Sequence, residues 1–178
     1  MSSLQVDLKG RVVVVTGAFG ALGAAVATEL RDFGAKVAEV DYAPVPAGKS
    51  ADLVFGGRDL AEPKVASALM AQIAQSAGRL DGLVNIAGGF QWEKLEGGSL
   101  ETWDAMYRMN LRTCVATCSA ALPHLVSSGR GRIVNIGALG AVKAGVGMAA
   151  YAASKAGVAK LTESLAEELK DQIGRAHV

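Results

Sequence analysis

The stretch RVVVVTGAFGALG, residues 11–23, restricts the fold more than any other part of the chain. Four consecutive valines offer no polar side to water, so a strand made from them must be covered on both faces. Strands of that kind belong to parallel sheets flanked by helices. Gly17 follows one residue after the valines, and residues 20–33 then carry Leu22, Val26, Leu30 and Phe33 at helical spacing.

The same alternation continues along the chain. KVAEV (36–40) reads as a second strand, ending at Asp41 and a Pro/Gly loop, and DLVF (52–55) as a third. Residues 62–77 form a helical pattern with Val65, Leu69 and Ile73 on one face. GLVNI (82–86) is a fourth strand, and residues 99–127 a long helix with Ser99 as its N-cap and Glu101 in the first turn. RIVNI (132–136) is a fifth strand, followed by a helix over about 149–170. Strands alternating with helices predict an α/β fold with a parallel sheet and right-handed crossovers.

Composition excludes several classes. The 178 residues are about one domain's worth, 51% of them are hydrophobic, and the formal net charge is +1. A chain of this size buries roughly 68–70% of the surface its unfolded form exposes, enough for a core. Nearly balanced charge and the lack of a Lys/Arg run argue against nucleic acid as a partner. Cys114 and Cys118 stand four apart in a helical stretch, a spacing that suits neither a redox pair nor a zinc site, so they are expected in the core and no metal is expected. No apolar run approaches the ~20 residues of a membrane span, and MSSLQVDLKG has no apolar leader core, so no membrane partner and a cytoplasmic setting are expected.

Glycines between a strand and a helix allow a tight turn and close approach of a pyrophosphate to backbone N–H groups at the positive end of the helix. TGAFGALG (16–23) occupies that place. Taken alone, such a turn is equally a structural device. Asp41, at the end of the second strand, adds to it: a carboxylate there accepts hydrogen bonds from both ribose hydroxyls of an adenosine and repels a 2′-phosphate. No Arg or Lys occupies 18–20 or 42, so NAD is expected rather than NADP. The plainer reading of Asp41 is a solvated loop acid.

Tyr151 and Lys155 are four apart, one above the other on a helix. A phenol ionises near ~10, and an ammonium a few ångströms away favours the phenolate, which makes such a pair fit for proton transfer to or from a carbonyl or alcohol oxygen. By itself the spacing is common on helix surfaces.

TGAFGALG, Asp41, Asp59 in RDL, NIAG (85–88), Asn110 in MNL and YAASK (151–155), in this order, resemble the short-chain dehydrogenase/reductase superfamily over residues 11 to about 172. The resemblance implies a Rossmann-type, doubly wound sheet in the order 3-2-1-4-5 and an NAD(H)-dependent oxidoreductase of small molecules. It implies that Gly17, Phe19, Gly20, Leu22 and Gly23 line the cofactor diphosphate and that Asp41 holds the adenosine ribose. Asp59 and the Leu60 backbone would touch the adenine, and Asn85, Ala87 and Gly88 would flank the cofactor. Tyr151 would be the acid/base, Lys155 would hold the nicotinamide ribose, and Asn110 would bend the long helix and seat a water in a relay to Lys155. The family often assembles as dimers or tetramers through its two long helices, here about 99–127 and 149–170.

One position departs from the family. The Ser that usually stands thirteen residues before the Tyr is replaced by Ala138, and no hydroxyl side chain lies between Gly137 and Tyr151. Losing an oxyanion-type donor costs ~10² to 10³ in rate. Dihydropteridine reductases are similar to this chain in G-x-x-G-A-L-G at the first turn, an Ala-Gly-Gly-aromatic at 87–90, a Gly-Ala at the end of the active-site strand and a Gly-Met before the Tyr. Their quinonoid pterin needs no serine donor. The substrate is therefore expected to be a quinonoid pterin or a carbonyl/alcohol pair, and the alternative is a non-catalytic NAD-binding relative. Trp92, Trp103 and His124 read as packing residues, and Lys143 as a loop residue near the site.

Family members continue through further strands. Residues 1–172 therefore read as an incomplete domain, with the fifth strand left as an open edge, prone to aggregation. The end of the chain, IGRAHV (173–178), matches the translation of a widely used sequencing-adapter read and is expected to be a non-native tail.

Overall fold

The computed structural model describes residues 6–49, 53–172 and the backbone strand 176–177. Six strands form one sheet, β1 (Val12–Thr16), β2 (Lys36–Val40), β3 (Val54–Phe55), β4 (Gly82–Asn85), β5 (Arg132–Asn135) and β6 (Ala176–His177). Their order is β3-β2-β1-β4-β5-β6, and every neighbouring pair is parallel. The helices are α1 (Ala21–Asp32), α2 (Pro63–Ala77), α3 (Leu100–Met106), α4 (Thr113–Ser127) and α5 (Ala149–Glu168). A π-helical segment, Tyr107–Arg112, joins α3 to α4, and a 3₁₀ turn, Leu139–Ala141, precedes α5.

The valine run explains the layers. Val12 and Val14 are buried in the cluster that includes α2, α4 and α5, whereas Val13 and Val15 are buried on the opposite face with Ala27 of α1. A strand with alternate side chains on two covered faces has no place for a polar residue, which is why the run is continuous. Right-handed crossovers put α1 on one face while the chain moves from β1 toward β3, and the later helices on the other face once it turns back through β4. The reversal leaves a crevice beyond the strand ends between β1 and β4, the place where ligands bind in sheets of this kind.

Expected elements appear with local differences. Ser99 caps α3, its hydroxyl accepting the Thr102 N–H at 3.4 Å. In α2 the buried residues are Ala66, Leu69, Met70 and Ile73, while Val65 is half-buried, so the core-facing stripe runs one position beyond the expected one. In α1 the buried residues are Gly23 and Ala27; Leu22 is 50% exposed and Phe33 is also exposed. Leu22 matches the helical period but faces the crevice, not the core. The third strand is shorter than DLVF: it spans Val54–Phe55, and Asp52 lies outside the described residues.

The open edge expected at β5 is occupied. Ala176 and His177 pair with Ile133 and Val134 as the short parallel strand β6, after the crossover through α5. The rest of the expected tail, residues 173–175 and 178, lies outside the described residues. Cys114 and Cys118 are buried free thiols in the core. Among the described residues, no helix is long and apolar enough to cross a membrane.

Candidate active site

The three central strands end in side chains that fasten to one another. Thr16, Asn85 and Asn135 lie in register at the ends of β1, β4 and β5, all buried. Asn85 Nδ2 donates to Asn135 Oδ1 at 2.8 Å, and Asn85 Oδ1 accepts the Thr117 hydroxyl at 2.8 Å. Asn135 Nδ2 passes the chain on to the Thr162 hydroxyl at 2.9 Å. The Thr16 hydroxyl accepts the N–H groups of Ile86 and Ala87, each at 3.1 Å. Buried polar groups satisfied in this way hold one geometry, because any shift would leave one of them unpaired. Asn85 is thus tied into the strand ends, next to Ala87 and Gly88 of the cleft wall.

Above this network opens a cleft of about 860 Å³, near the top of the ordinary range for ligand pockets. Its walls include Gly17, Phe19, Gly20, Leu22, Gly23, Asp41, Asp59, Leu60, Ala87 and Gly88, ten of the positions the sequence singled out. The glycine turn is compact. Gly17 has φ +65, and a Cβ there would stand 2.8 Å from the Ala87 nitrogen. A Cβ on Gly23 would strike the Gly17 carbonyl, while one on Gly20 would make only an ordinary contact with that carbonyl, at 3.5 Å.

Asp41 braces that turn. Its Oδ2 accepts the Phe19 N–H and its Oδ1 the Ala43 N–H, both at 2.9 Å. Lys49 lies 5.3 Å from the Phe19 ring centroid and pairs with the buried Glu39 of β2, which Arg31 of α1 also pairs. Two cations absent from the sequence expectation share the cleft: Arg58, at the Asp41 end, and Arg108, from the π-helical segment. Positions 18–20 and 42 carry no cation, and Arg58 arrives from beyond β3. The pair Arg108 and Arg112 around Asn110, one helical turn apart, was the available signal for the second.

Tyr151, Lys155 and Asn110 stand just past the opposite end of the cleft, behind Gly88. A Cβ on Gly88 would touch Asn110 Oδ1 and lie 3.7 Å from Lys155 Nζ, so this glycine of the cleft wall stands next to both side chains. Lys155 is 7% exposed and donates to the Ile136 carbonyl at 2.7 Å. Burial pushes its ammonium below the usual lysine range. Asn110 is 1% exposed; its Oδ1 accepts the Gly89 N–H at 2.9 Å, and its Nδ2 donates to the Gly89 carbonyl and the Ser154 hydroxyl, both at 3.0 Å. The Ser154 hydroxyl donates in turn to the Tyr151 carbonyl at 2.7 Å. Asn110 was expected to bend the helix and seat a water; it lies within the π-helical segment, with its amide spent on fixing Gly89 and α5.

The Tyr151 ring packs edge-on against Phe90, centroids 5.0 Å apart. Gly140 also lies against it, where a Cβ would be 3.5 Å from Tyr151 Cε1. Ala138, at the head of the 3₁₀ turn, presents no hydroxyl to this corner. Trp92 packs over Gly147, as the packing reading has it, and keeps 57% exposure.

A parallel sheet with a glycine turn and a cleft at its switch point defines a dinucleotide-binding α/β protein of the Rossmann type. Comparison with known proteins narrows this. The short chain dehydrogenase family profile matches residues 11–174. A short chain dehydrogenase of Penicillium brasilianum, ausX, is 31% identical over 97% of this chain and 68% of its own. D-threitol dehydrogenase of Mycolicibacterium smegmatis is 34% identical over 90% of this chain and 65% of its own. The ligand-free aldohexose dehydrogenase of Thermoplasma acidophilum superposes with a TM-score of 0.87 at 29% identity, covering 97% of this chain and 66% of that one. The chain belongs to the short-chain dehydrogenase/reductase family of oxidoreductases.

Proposed function

We propose that this protein is an NAD(H)-dependent oxidoreductase in which Tyr151 exchanges a proton with the substrate oxygen. The observation that carries the reading is Gly88: one Cβ-less residue joins the glycine-turn cleft to Asn110 and Lys155. The residues fit a dinucleotide. Gly20 lines the cleft as the N-cap of α1, and the N–H groups of the first helical turn, which no side chain caps, are the donors a phosphate would meet. A bound nicotinamide supplies or accepts the hydride.

The chain's own residues then have distinct tasks. Lys155, whose ammonium burial pushes below the usual lysine range, would hold a ribose hydroxyl, and its positive charge would favour the Tyr151 phenolate while the proton moves between the phenol and the substrate oxygen. Asn110 keeps Gly89 and α5 at a fixed spacing, which preserves the reach of the tyrosine. Asp41 would hold the adenosine ribose and favours NAD. Arg58 in the same end of the cleft supports a second reading, NADP(H), with its guanidinium meeting a 2′-phosphate.

For the substrate, two classes stand. The names of the threitol and aldohexose dehydrogenases point to an alcohol/carbonyl pair. Ala138 favours a conjugated acceptor such as a quinonoid pterin, in which no alkoxide develops. In the full-length protein, a dimer or tetramer through α3–α4 and α5 completes the proposal, and exposed Tyr107 and Val115 on the first of these support it.

The test is turnover of NADH and NADPH against quinonoid dihydropterin, polyols and simple ketones. Tyr151→Phe should abolish turnover while NADH still binds. Cofactor binding by the wild type with no turnover on any compound would make this a non-catalytic relative and sink the enzyme reading.

A further inference from the structure

The loop between β3 and α2 carries Asp59 and Leu60, and it is held from one side by two arginines. Arg108 Nη2 donates to Asp59 Oδ2 at 2.7 Å and to Glu62 Oε1 at 2.8 Å. One turn further on, Arg112 Nε donates to the Ala61 carbonyl at 2.9 Å. Within the loop, Asp59 Oδ1 accepts the Ala61 N–H at 3.1 Å, and Leu60 and Ala61 are buried. The loop is thus anchored below by Leu60 and Ala61 and at its rim by Arg108.

Stability does not account for the rim contact. Arg108, Asp59 and Glu62 have side chains 45%, 37% and 47% exposed, and exposed ion pairs add little to folding free energy. Their hydrogen bonds, Glu62 first and then Asp59, raise the Arg108 guanidinium above its usual range, so it is a cation throughout. What the bridge does is geometric. It spans the cleft wall from the π-helical segment to the loop, at the end of the cleft shared with Asp41 and Arg58. Arg108 is planar and tethered at one nitrogen by two carboxylates, and it lines the cleft beside Leu60.

From this we infer that Arg108 is a positioning residue for the adenine end of the cleft: by bridging Asp59 and Glu62, it holds the β3–α2 loop as a ready-made wall for the base. This rests on the reading of the cleft as a dinucleotide site. Without the bridge, the loop must be ordered when the ligand arrives, and each side chain immobilised on binding lowers affinity. Since Arg108 and Asn110 share the π-helical segment, the same six residues set the adenine wall and the Gly89 end.

The experiment uses the full chain with three probes: AMP, which fills the adenine end alone; NADH, which fills the whole cleft; and reduced nicotinamide mononucleotide, which lacks the adenine end. Arg108→Ala should weaken AMP and NADH by about tenfold and leave the mononucleotide unchanged. Arg108→Lys, which keeps the charge but not the planar guanidinium, should recover part of the loss, and added salt should move wild-type AMP affinity toward that of Arg108→Ala. If Arg108→Ala does not fold, Glu62→Gln, which leaves the cleft lining intact, should weaken AMP in the same direction by a smaller factor. Unchanged AMP and NADH affinities, or equal losses for all three probes, overturn the inference. A wild type that binds NADH but shows no effect of Arg108 refutes this inference alone, whereas a wild type that binds none of the probes removes the dinucleotide reading as well.

Discussion

The three glycines of the first turn share a motif, but the structure gives them different tasks, and substitution by alanine separates two of these. At Gly17, alanine must adopt φ +65, a left-handed conformation that costs an L-residue about 1–2 kcal/mol. Its Cβ would also stand 2.8 Å from the Ala87 nitrogen and 2.9 Å from the Ala87 Cα. That backbone cannot retreat freely, because the Thr16 hydroxyl holds the Ile86 and Ala87 N–H groups. Overpacking of this sort adds about 1–3 kcal/mol. The loss of unfolded-chain freedom returns only about 0.4–1 kcal/mol. Gly17→Ala should therefore be destabilised by about 2–4 kcal/mol, a fall of roughly 1–2 M in the urea midpoint at an m-value of about 2 kcal/mol/M.

Gly20 reverses the pattern. It begins α1 at φ −76 and ψ 166, which alanine adopts without strain, and the nearest atom to a Cβ is 3.5 Å away. A poorer helix cap and a less flexible unfolded chain offset one another, so stability should stay within about 1 kcal/mol of wild type. The methyl would instead stand on the cleft wall at the N-cap of α1 and hold a phosphate off the N–H groups. Losing one charge-assisted hydrogen bond corresponds to at least about a tenfold loss of affinity. Urea unfolding and NADH fluorescence titration of both variants measure the two quantities. Undiminished NADH affinity in Gly20→Ala would mean that no diphosphate sits there, and a wild-type midpoint in Gly17→Ala would refute the argument from Ala87.

Ala138→Ser restores a hydroxyl at the head of the 3₁₀ turn beside Tyr151, and turnover of simple ketones should rise by about 10²-fold while that of quinonoid pterins stays level; an unchanged ketone rate would show that the site never used this donor. Asp81 offers a test by pH. Burial alone would raise its carboxyl, but hydrogen bonds from Arg79, the Val12 N–H and Arg130 outweigh that and hold it below the usual range. A depressed carboxyl stabilises the fold above its unfolded pKa of ~3.9 and loses that contribution as pH falls through the folded value. Asp81→Asn should cost about 2–3 kcal/mol at pH 7, and the gap should begin to narrow near pH ~4 and go on narrowing as pH falls toward the depressed folded value; urea midpoints whose difference stays constant from about pH 7 to 3 would contradict this.

The central strand and its parallel, doubly covered sheet were readable because burial on both faces leaves a mark on each residue, and four valines in a row have few other uses; the order of the strands came from the family resemblance. Local periodicity was a weaker guide where a helix borders ligand space. Leu22 keeps the apolar spacing of α1, yet it is exposed toward the cleft, because an apolar residue facing a ligand and one facing the core follow the same period. The short strand β6 left no comparable mark, since two residues pairing with Ile133 and Val134 carry no pattern.

For the site, residue types were easier to read than their connections. Asn85 was recognisable as a polar residue at a strand end, but its use depends on Thr16, Thr117 and Asn135, which come from other elements. Its amide is spent on fixing the three strand ends, which is why the glycine strip above it can be rigid without side chains of its own. The same reasoning applies to Asn110, whose partners are Gly89 and Ser154. Both asparagines act through backbone that they hold in place. The corner around Tyr151 and Lys155 lies by the backbone of Gly140, and Ala138 brings no hydroxyl to it. On the function proposed above, a corner with one donor fewer would suit a substrate that needs little oxygen stabilisation. The burial and hydrogen bonds of Asn110 and Lys155 serve the fold as well as any chemistry, so turnover, and not packing, separates altered chemistry from lost chemistry.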